Sequence, residues 1–183
     1  MAVPASFEVN DRMKQYQISR EAILNRSFLD DSVPAVDLSL VAKEPFLMLK
    51  NHHDAYRRSM DICAHSGFEP NVVMSFDQLQ TAYNVARSGQ TGIIFFRDGL
   101  LKYTENTEKL CYYKLGDPLA KRAILLTMKR YPGVGPTVDD FIKYLMLAYL
   151  SKYIVSGEKR LEQNSVPGAF RLSPISICLY IHI

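Results

Sequence analysis

Seven residues in the middle of the chain have side chains and positions suited to binding a small anionic or polar ligand. They follow three short apolar runs, and they are Lys50, Asn51 and His52, then Ser75, Phe76 and Gln78, and finally Arg97. Helix N-termini beside such residues favour anions, because free backbone N–H groups and the helix dipole both point there. These positions could therefore bind a small anionic or polar ligand.

Simpler structural roles are open for several of the same positions. Asn51 could cap the helix that follows it, with Asp54 three residues further on as its partner. Asp77 is more typical of an N-cap than of a ligand contact. Arg97 could form a surface salt bridge near Asp98, which is the more common outcome for an exposed arginine. Capping by Asn51 is compatible with a role in binding.

The pattern from Phe46 to Phe96 predicts the elements that position these residues: strand, helix, strand, helix, strand. The first helix is indicated by an apolar stripe of Tyr56, Met60 and Cys63, followed by Gly67, and the second by Leu79, Ala82, Tyr83 and Ala86. Gly89 is expected to end the second helix. Apolar strands separated by helices predict a parallel sheet covered on both faces, with ligands bound beyond its carboxyl ends.

Catalytic, metal and cofactor sites are not indicated. His52 and His53 are neighbours, and side chains at adjacent positions of a helix start are expected to point apart, so no metal site is predicted. No nucleophile, base and acid come together, and Gly133 and Gly135 lack the third glycine of a dinucleotide-binding turn. The expectation is a protein that is not an enzyme and has no cofactor.

Composition limits the class of protein further. The 183 residues are 48% hydrophobic and carry a formal charge of +3, with no basic block typical of nucleic-acid binding. The three cysteines match no zinc or redox spacing. No signal-peptide pattern is present, and no apolar run approaches the ~18 residues that span a membrane. A cytoplasmic protein without membrane contact is expected.

The last third of the chain carries weaker signals. Residues 123–128 are typical of a buried strand, and a helix is predicted from Thr137 to about Ile154. The residues expected to face inward on that helix are Val138, Phe141, Ile142, Leu145 and Ala148. Residues 175–183 form an apolar end that could add a strand to an open sheet edge.

The order of these segments resembles a known family. The segments are Ala2–Pro4, Glu44–Leu49, His65–Pro70, Ser75–Asp77 and Val85–Ile93. Together they are similar to the effector-binding domain of LysR-type transcriptional regulators, over roughly residues 2 to 155. The resemblance implies a type 2 periplasmic-binding-protein-like α/β fold, with two lobes and a small-molecule cleft between them. In the family, DNA is bound by an N-terminal winged helix-turn-helix.

The resemblance also implies how the chain is divided. Residues 1–112 correspond to the second lobe, whose sheet is expected to be rich in parallel pairs, and residues 113–156 to part of the first lobe. Residues 157–183 match nothing in the family and form a tail of unknown role. The winged helix-turn-helix is absent from these 183 residues, so DNA contact would depend on a segment outside them. The strand ending Phe95-Phe96-Arg97-Asp98 lacks the Leu-Pro pair that the family usually shows there, so the adjoining wall of the cleft is expected to differ in shape.

The function implied is a ligand-sensing domain that controls transcription when a small anionic or polar effector binds between its lobes. The alternative is a solute-binding fragment or a small α/β enzyme that uses the same crevice. A homodimer or higher oligomer is expected, because a reduced first lobe would leave apolar surface uncovered and because the family's sensors pair side by side.

Overall fold

The computed structural model describes residues 1–128, 140, 141, 144 and 175–182. The chain divides into two compact units, one of residues Met1–Arg122 with Ile181–Ile183, and one of residues Ala123–Tyr180. The first unit contains a six-stranded sheet and its helices. Within the described residues, no helix has both the length and the apolar character needed to cross a membrane.

The six-stranded sheet has the strand order β2-β6-β1-β5-β3-β4. Its strands are β1 (Ala2–Pro4), β2 (Gln17–Ile18), β3 (Pro45–Leu49), β4 (Asn71–Phe76), β5 (Ile93–Ile94) and β6 (Leu110–Tyr113). The α-helices are α1 (Val9–Met13), α2 (Arg20–Leu24), α3 (Asp54–His65) and α4 (Leu79–Ala86). Short 3₁₀ helices cover Lys14–Tyr16, Ser27–Leu29, Leu38–Val41, Asp98–Tyr103 and Pro118–Ala120.

The parallel pairing predicted from the sequence is found in the three strands β4, β3 and β5. Strand β3 pairs in parallel with both β4 and β5, and the crossovers between these strands are the helices α3 and α4. The other pairs, β1 with β5, β1 with β6 and β2 with β6, are antiparallel. The sheet is therefore mixed, and its parallel part is the part that follows the strand–helix–strand pattern.

Alternation along β3 explains why both sheet faces are covered. Phe46 and Met48 pack in one core cluster with Ile62 and Cys63 of α3. Leu47, between them in sequence, packs on the opposite face with the buried residues of α4, which are Ala82, Tyr83 and Ala86. Side chains along a strand point to alternate faces, so a continuous apolar run supplies both cores.

Strand β4 departs from the prediction of a strand covered on both faces. It lies at the edge of the sheet and pairs only with β3. Val73 and Met74 are 48% and 47% exposed. The apolar composition was correctly interpreted as a strand, but an edge position leaves one side of β4 without a neighbour.

Two glycines follow helix ends, and a third allows a close contact between two strands. Gly67 and Gly89 have φ of +82° and +83°, and they follow the ends of α3 and α4, as predicted for Gly89. Gly92 precedes β5, where a Cβ atom would lie 2.8 Å from the carbonyl oxygen of Pro45. A larger residue there would push β5 away from β3.

Beyond residue 120 the prediction of a strand at residues 123–128 is confirmed by β7 (Lys121–Met128). It pairs with β8 (Ile175–His182), so the apolar end of the chain does form a strand. Phe141 is 60% exposed, and the prediction that it faces inward is wrong, since it shares an exposed helical stretch with Asp140 and Tyr144. The other inward positions predicted on that helix, Val138, Ile142, Leu145 and Ala148, lie outside the described residues.

Candidate functional site

A cavity of about 320 Å³ lies at the carboxyl ends of β3 and β5. Its floor is apolar, and its rim carries the first turns of α3 and α4 together with one arginine. The lining residues are Leu47, Met48 and Leu49 of β3, His53, Asp54, Ala55 and Ser59 around α3, Leu79 and Ala82 of α4, and Ile94, Phe95, Phe96 and Arg97 of β5 and the segment after it. Its position agrees with the rule that ligands bind beyond the carboxyl ends of parallel strands.

The helix starts beside the cavity are not capped as the sequence suggested. The N-cap of α3 is His53 and that of α4 is Gln78, and neither side chain accepts a capping hydrogen bond. The interpretations of Asn51 and Asp77 as caps are therefore wrong. The reason for Asp77 is visible, since its carboxylate accepts a hydrogen bond from Lys50 at 2.7 Å instead.

Of the seven predicted residues, only Arg97 lines the cavity. The other six lie on or next to the two neighbouring loops, residues 50–53 between β3 and α3, and residues 77–78 between β4 and α4. These loops are joined by the hydrogen bond from the backbone N–H of Lys50 to the carbonyl of Phe76, at 2.9 Å, and by the Lys50–Asp77 ion pair. The structure thus brings the two predicted groups together beside the cavity rather than inside it.

Three polar residues of the cavity were missed by the sequence interpretation. These are His53, Asp54 and Ser59, which lie on the first turns of α3. Asp54 forms ion pairs with Arg57 at 2.7 Å and Arg58 at 3.3 Å, so its charge is balanced locally. The spacing of Asp54 before two arginines at helical intervals is the one sequence signal that could have placed it at a helix start.

Arg97 is the exposed cation of the cavity, and it has no ion-pair partner among the described residues. The alternative of a surface salt bridge is therefore not observed in that part of the chain. Its neighbour Asp98 is buried and accepts a hydrogen bond from Arg26 at 2.9 Å and another from the backbone N–H of Gly99 at 2.7 Å. The Asp98 carboxylate is therefore paired with Arg26 and not with Arg97. The Arg97 guanidinium is thus available to a ligand.

The two adjacent histidines do not point apart as expected. The ring centroids of His52 and His53 are 4.2 Å apart. The hydrogen bond from Lys50 lowers the pKa of the Asp77 carboxyl, and the positive charge of Lys50 acts in the same direction. The loop between β3 and α3 therefore places one lysine and two imidazole rings beside one carboxylate.

No arrangement for nucleophilic catalysis is present in the cavity. Ser59 and His53 both line it, but the Ser59 hydroxyl donates to the carbonyl of Ala55 at 2.8 Å. Cys63 is on the buried face of α3, where burial raises the pKa of its thiol to about 12. What the cavity offers is an apolar floor, two helix N-termini and the Arg97 guanidinium, which suit binding of a small anion with an apolar part.

The sequence is similar to known proteins. Residues 23–149 match the family model described as the LysR substrate binding domain. A protein of Bacillus subtilis (strain 168), the "Uncharacterized HTH-type transcriptional regulator YcgK", is 30% identical over 70 residues, which are 37% of this chain. The matched segment spans only 22% of that relative's length. No solved structure matches the chain.

The family match covers more than half of the chain and includes β3, α3, β4, α4 and β5, the elements that build the cavity. The chain therefore belongs to the LysR substrate binding domain family, whose fold is the type 2 periplasmic-binding-protein-like α/β fold.

Proposed function

We propose that this chain is the ligand-sensing domain of a LysR-type transcriptional regulator and that it binds a small anionic or polar effector at the cavity. The observation that carries the proposal is the position of Arg97. It lines a cavity with an apolar floor, and it has no ion-pair partner in the described part of the chain. A guanidinium can bind a carboxylate through two parallel hydrogen bonds, which fixes orientation as well as affinity.

The helix starts support an anionic group in the effector. The N-caps of α3 and α4 provide no side-chain acceptor to the first-turn N–H groups. Both first turns line the cavity through Ala55 and Leu79. A carboxylate placed between them would lie near the positive ends of two helix dipoles and near Arg97.

The apolar floor supports a hydrocarbon part in the same effector. It is formed by Leu47, Ile94 and Phe96, all of which are buried residues of the core beneath α4. Burying apolar ligand surface there adds a favourable free energy that increases with the area removed from water. The proposed class of effector is therefore a small organic acid.

The loop residues beside the cavity would make the outer contacts. We propose that the effector reaches Lys50, Asn51 and His52 on one loop, and Ser75, Phe76 and Gln78 on and beside the other. Lys50 would add to the positive potential of Arg97.

We further propose that residues 1–112 are the second lobe of the sensor, residues 113–156 part of the first lobe, and residues 157–183 a tail. Transcriptional control would then require DNA contact through a winged helix-turn-helix outside these 183 residues. The relative named above as an HTH-type transcriptional regulator supports this arrangement.

Titration of organic acids tests the binding proposal. With ¹⁵N-labelled protein and a panel running from acetate to benzoate and citrate, at least one acid is expected to shift the amide signals of Ala55, Leu79 and Arg97. Chloride at the same ionic strength is the control, because it matches charge screening but lacks a carboxylate. Shifts confined to residues away from these three, for all acids tested, would contradict the proposal.

We also propose that the chain forms a homodimer or higher oligomer. Val73 and Met74 expose apolar surface on the edge strand β4, and Phe141 and Tyr144 are more than half exposed. Exposed apolar surface and an open sheet edge are both common in contacts between subunits. Light scattering at micromolar concentration is expected to give a mass of at least two chains, and the Val73→Lys variant is expected to lower it. A monomer mass for the unmodified chain would contradict the proposal.

A further inference from the structure

Three potential metal ligands come together beside the cavity, from two different loops. One ligand atom each of His52, His53 and Asp77 lies within 4.8 Å of the other two. His52 and His53 belong to the loop before α3, and Asp77 belongs to the loop before α4. The backbone hydrogen bond from Lys50 to Phe76 holds these loops side by side, so the cluster is supported by the sheet and not by one flexible segment.

A divalent ion would draw the three ligand atoms closer together. Zinc binds imidazole nitrogen and carboxylate oxygen at about 2.0–2.2 Å in a tetrahedral arrangement, so two ligand atoms on one ion are about 3.4 Å apart. The three ligand atoms here all lie within 4.8 Å of one another, so the side chains must rotate to bind the ion. The side chain of Asp77 is 64% exposed, and its rotation would compete with the hydrogen bond from Lys50.

His53 provides a second, independent observation. Its Nε2 atom is buried and has no hydrogen-bond partner among the described residues. A buried imidazole nitrogen normally has a partner, because water is no longer available to it. We assign this nitrogen as the atom of His53 that would bind the ion, since imidazole is a preferred ligand of zinc, nickel and copper.

Lys50 opposes a cation at this position. Its ammonium group lies 2.7 Å from one carboxylate oxygen of Asp77, and it would repel a divalent ion on the other oxygen. Removing the lysine charge should therefore strengthen metal binding. Removal of the Lys50 charge should also weaken the binding of an anion beside the loop. The affinities for a metal ion and for an anion should therefore change in opposite directions.

We propose that His52, His53 and Asp77 bind a divalent transition-metal ion of the Zn²⁺, Ni²⁺ and Co²⁺ class at the rim of the cavity. Three protein ligands leave coordination positions open to water or to the carboxylate of a bound molecule. The metal site does not depend on the effector proposal, since its ligands bind the ion without an organic acid.

Calorimetric titration of the full chain with Zn²⁺ tests the proposal. One ion per chain is expected, and His53→Ala and Asp77→Asn are each expected to weaken binding at least about tenfold, the scale on which metal sites respond to lost partners. The control is His65→Ala, because His65 contacts Asp117 and not the cluster. Mg²⁺ should not bind, because it prefers oxygen ligands. Circular dichroism in the absence of metal verifies that each variant is folded.

Two further readouts separate this site from other sources of zinc binding. Lys50→Met is expected to raise the affinity for Zn²⁺ and to leave it sensitive to His53→Ala. The Co²⁺ complex is expected to lack the absorption of a cobalt–thiolate bond, since the cluster contains no cysteine. Absence of binding at millimolar Zn²⁺, equal losses in His65→Ala and His53→Ala, or a thiolate band would each overturn the proposal.

The acid titration described above, repeated with and without a chelator, shows which proposal has failed if one does. If the acid-induced shifts persist in the presence of the chelator and no zinc binding is detected, the effector proposal is supported and the metal site is contradicted. If zinc binds but no acid shifts any amide signal, the metal site is supported and the effector proposal is contradicted.

Discussion

Replacing Arg26 by methionine is expected to lower the free energy of unfolding by about 3 kcal/mol, as observed when one partner of a buried ion pair is removed. The Arg26 guanidinium donates to Asp98 at 2.9 Å, and the side chain of Asp98 is only 6% exposed. Methionine keeps much of the volume but leaves the carboxylate with little compensation beyond the N–H of Gly99. Urea unfolding, monitored by circular dichroism, measures the change from the shift of the midpoint at constant slope.

Arg57→Met is the matched control. Arg57 lies 2.7 Å from Asp54, closer than Arg26 is to Asp98, but its side chain is 76% exposed. Exposed pairs contribute about 0–1 kcal/mol, because water screens the charges and the side chains lose freedom on pairing. A large loss in Arg26→Met and a small one in Arg57→Met would show that burial, not distance, sets the contribution. Similar losses in both would contradict the assignment.

Replacing Arg97 by methionine is expected to weaken binding of an organic acid by about tenfold to a hundredfold. A hydrogen bond to a charged group contributes about 1.5–3 kcal/mol, and each 1.4 kcal/mol is a factor of about ten in affinity. Arg97 is the unpaired cation at the cavity in the described part of the chain, so no neighbour among those residues is in place to replace it. The measurement is the dissociation constant of the acid that gives the largest amide shifts.

The control for this prediction is Arg12→Met. Arg12 is also exposed, and it donates to the carbonyl of Leu40 at 3.2 Å, away from the residues that line the cavity. The Arg12→Met substitution removes the same charge from the protein, but the dissociation constant of the acid should remain nearly unchanged. Equal weakening in both variants would mean that net charge alone attracts the acid. The unfolding free energy of Arg97→Met should remain near that of the unmodified chain, since no described ion pair is lost.

The strands and helices around the cavity were predictable because their apolar patterns are local. The run containing Phe46 and Leu47 supplies both faces of β3, and the stripe containing Ala82 and Tyr83 identifies α4. The antiparallel strands were harder to predict. Strand β1 has three residues and pairs with β6, more than a hundred residues away, and such a pairing leaves almost no local signal.

The cavity lies at the sheet edge that the sequence indicates, but only Arg97 of the seven predicted residues lines it, and the binding role of all seven stays a prediction. Which residues face a ligand depends on where a helix begins, and one residue of shift rotates every side chain by about 100°. Helix α3 begins at Asp54, and its N-cap is His53 and not Asn51. The ion pair between Lys50 and Asp77 depends on a contact between two loops that are separated in sequence. A local sequence pattern therefore does not predict it.

An organic acid is expected to bind beside Arg97, at the carboxyl ends of β3 and β5. The most direct test is a crystal structure of the chain with the tightest-binding acid of the panel. The predicted result is a carboxylate within hydrogen-bond distance, about 3 Å, of the Arg97 guanidinium, with the rest of the molecule against Leu47 and Ile94. An acid bound at full occupancy elsewhere, with the cavity beside Arg97 empty, would contradict the claim.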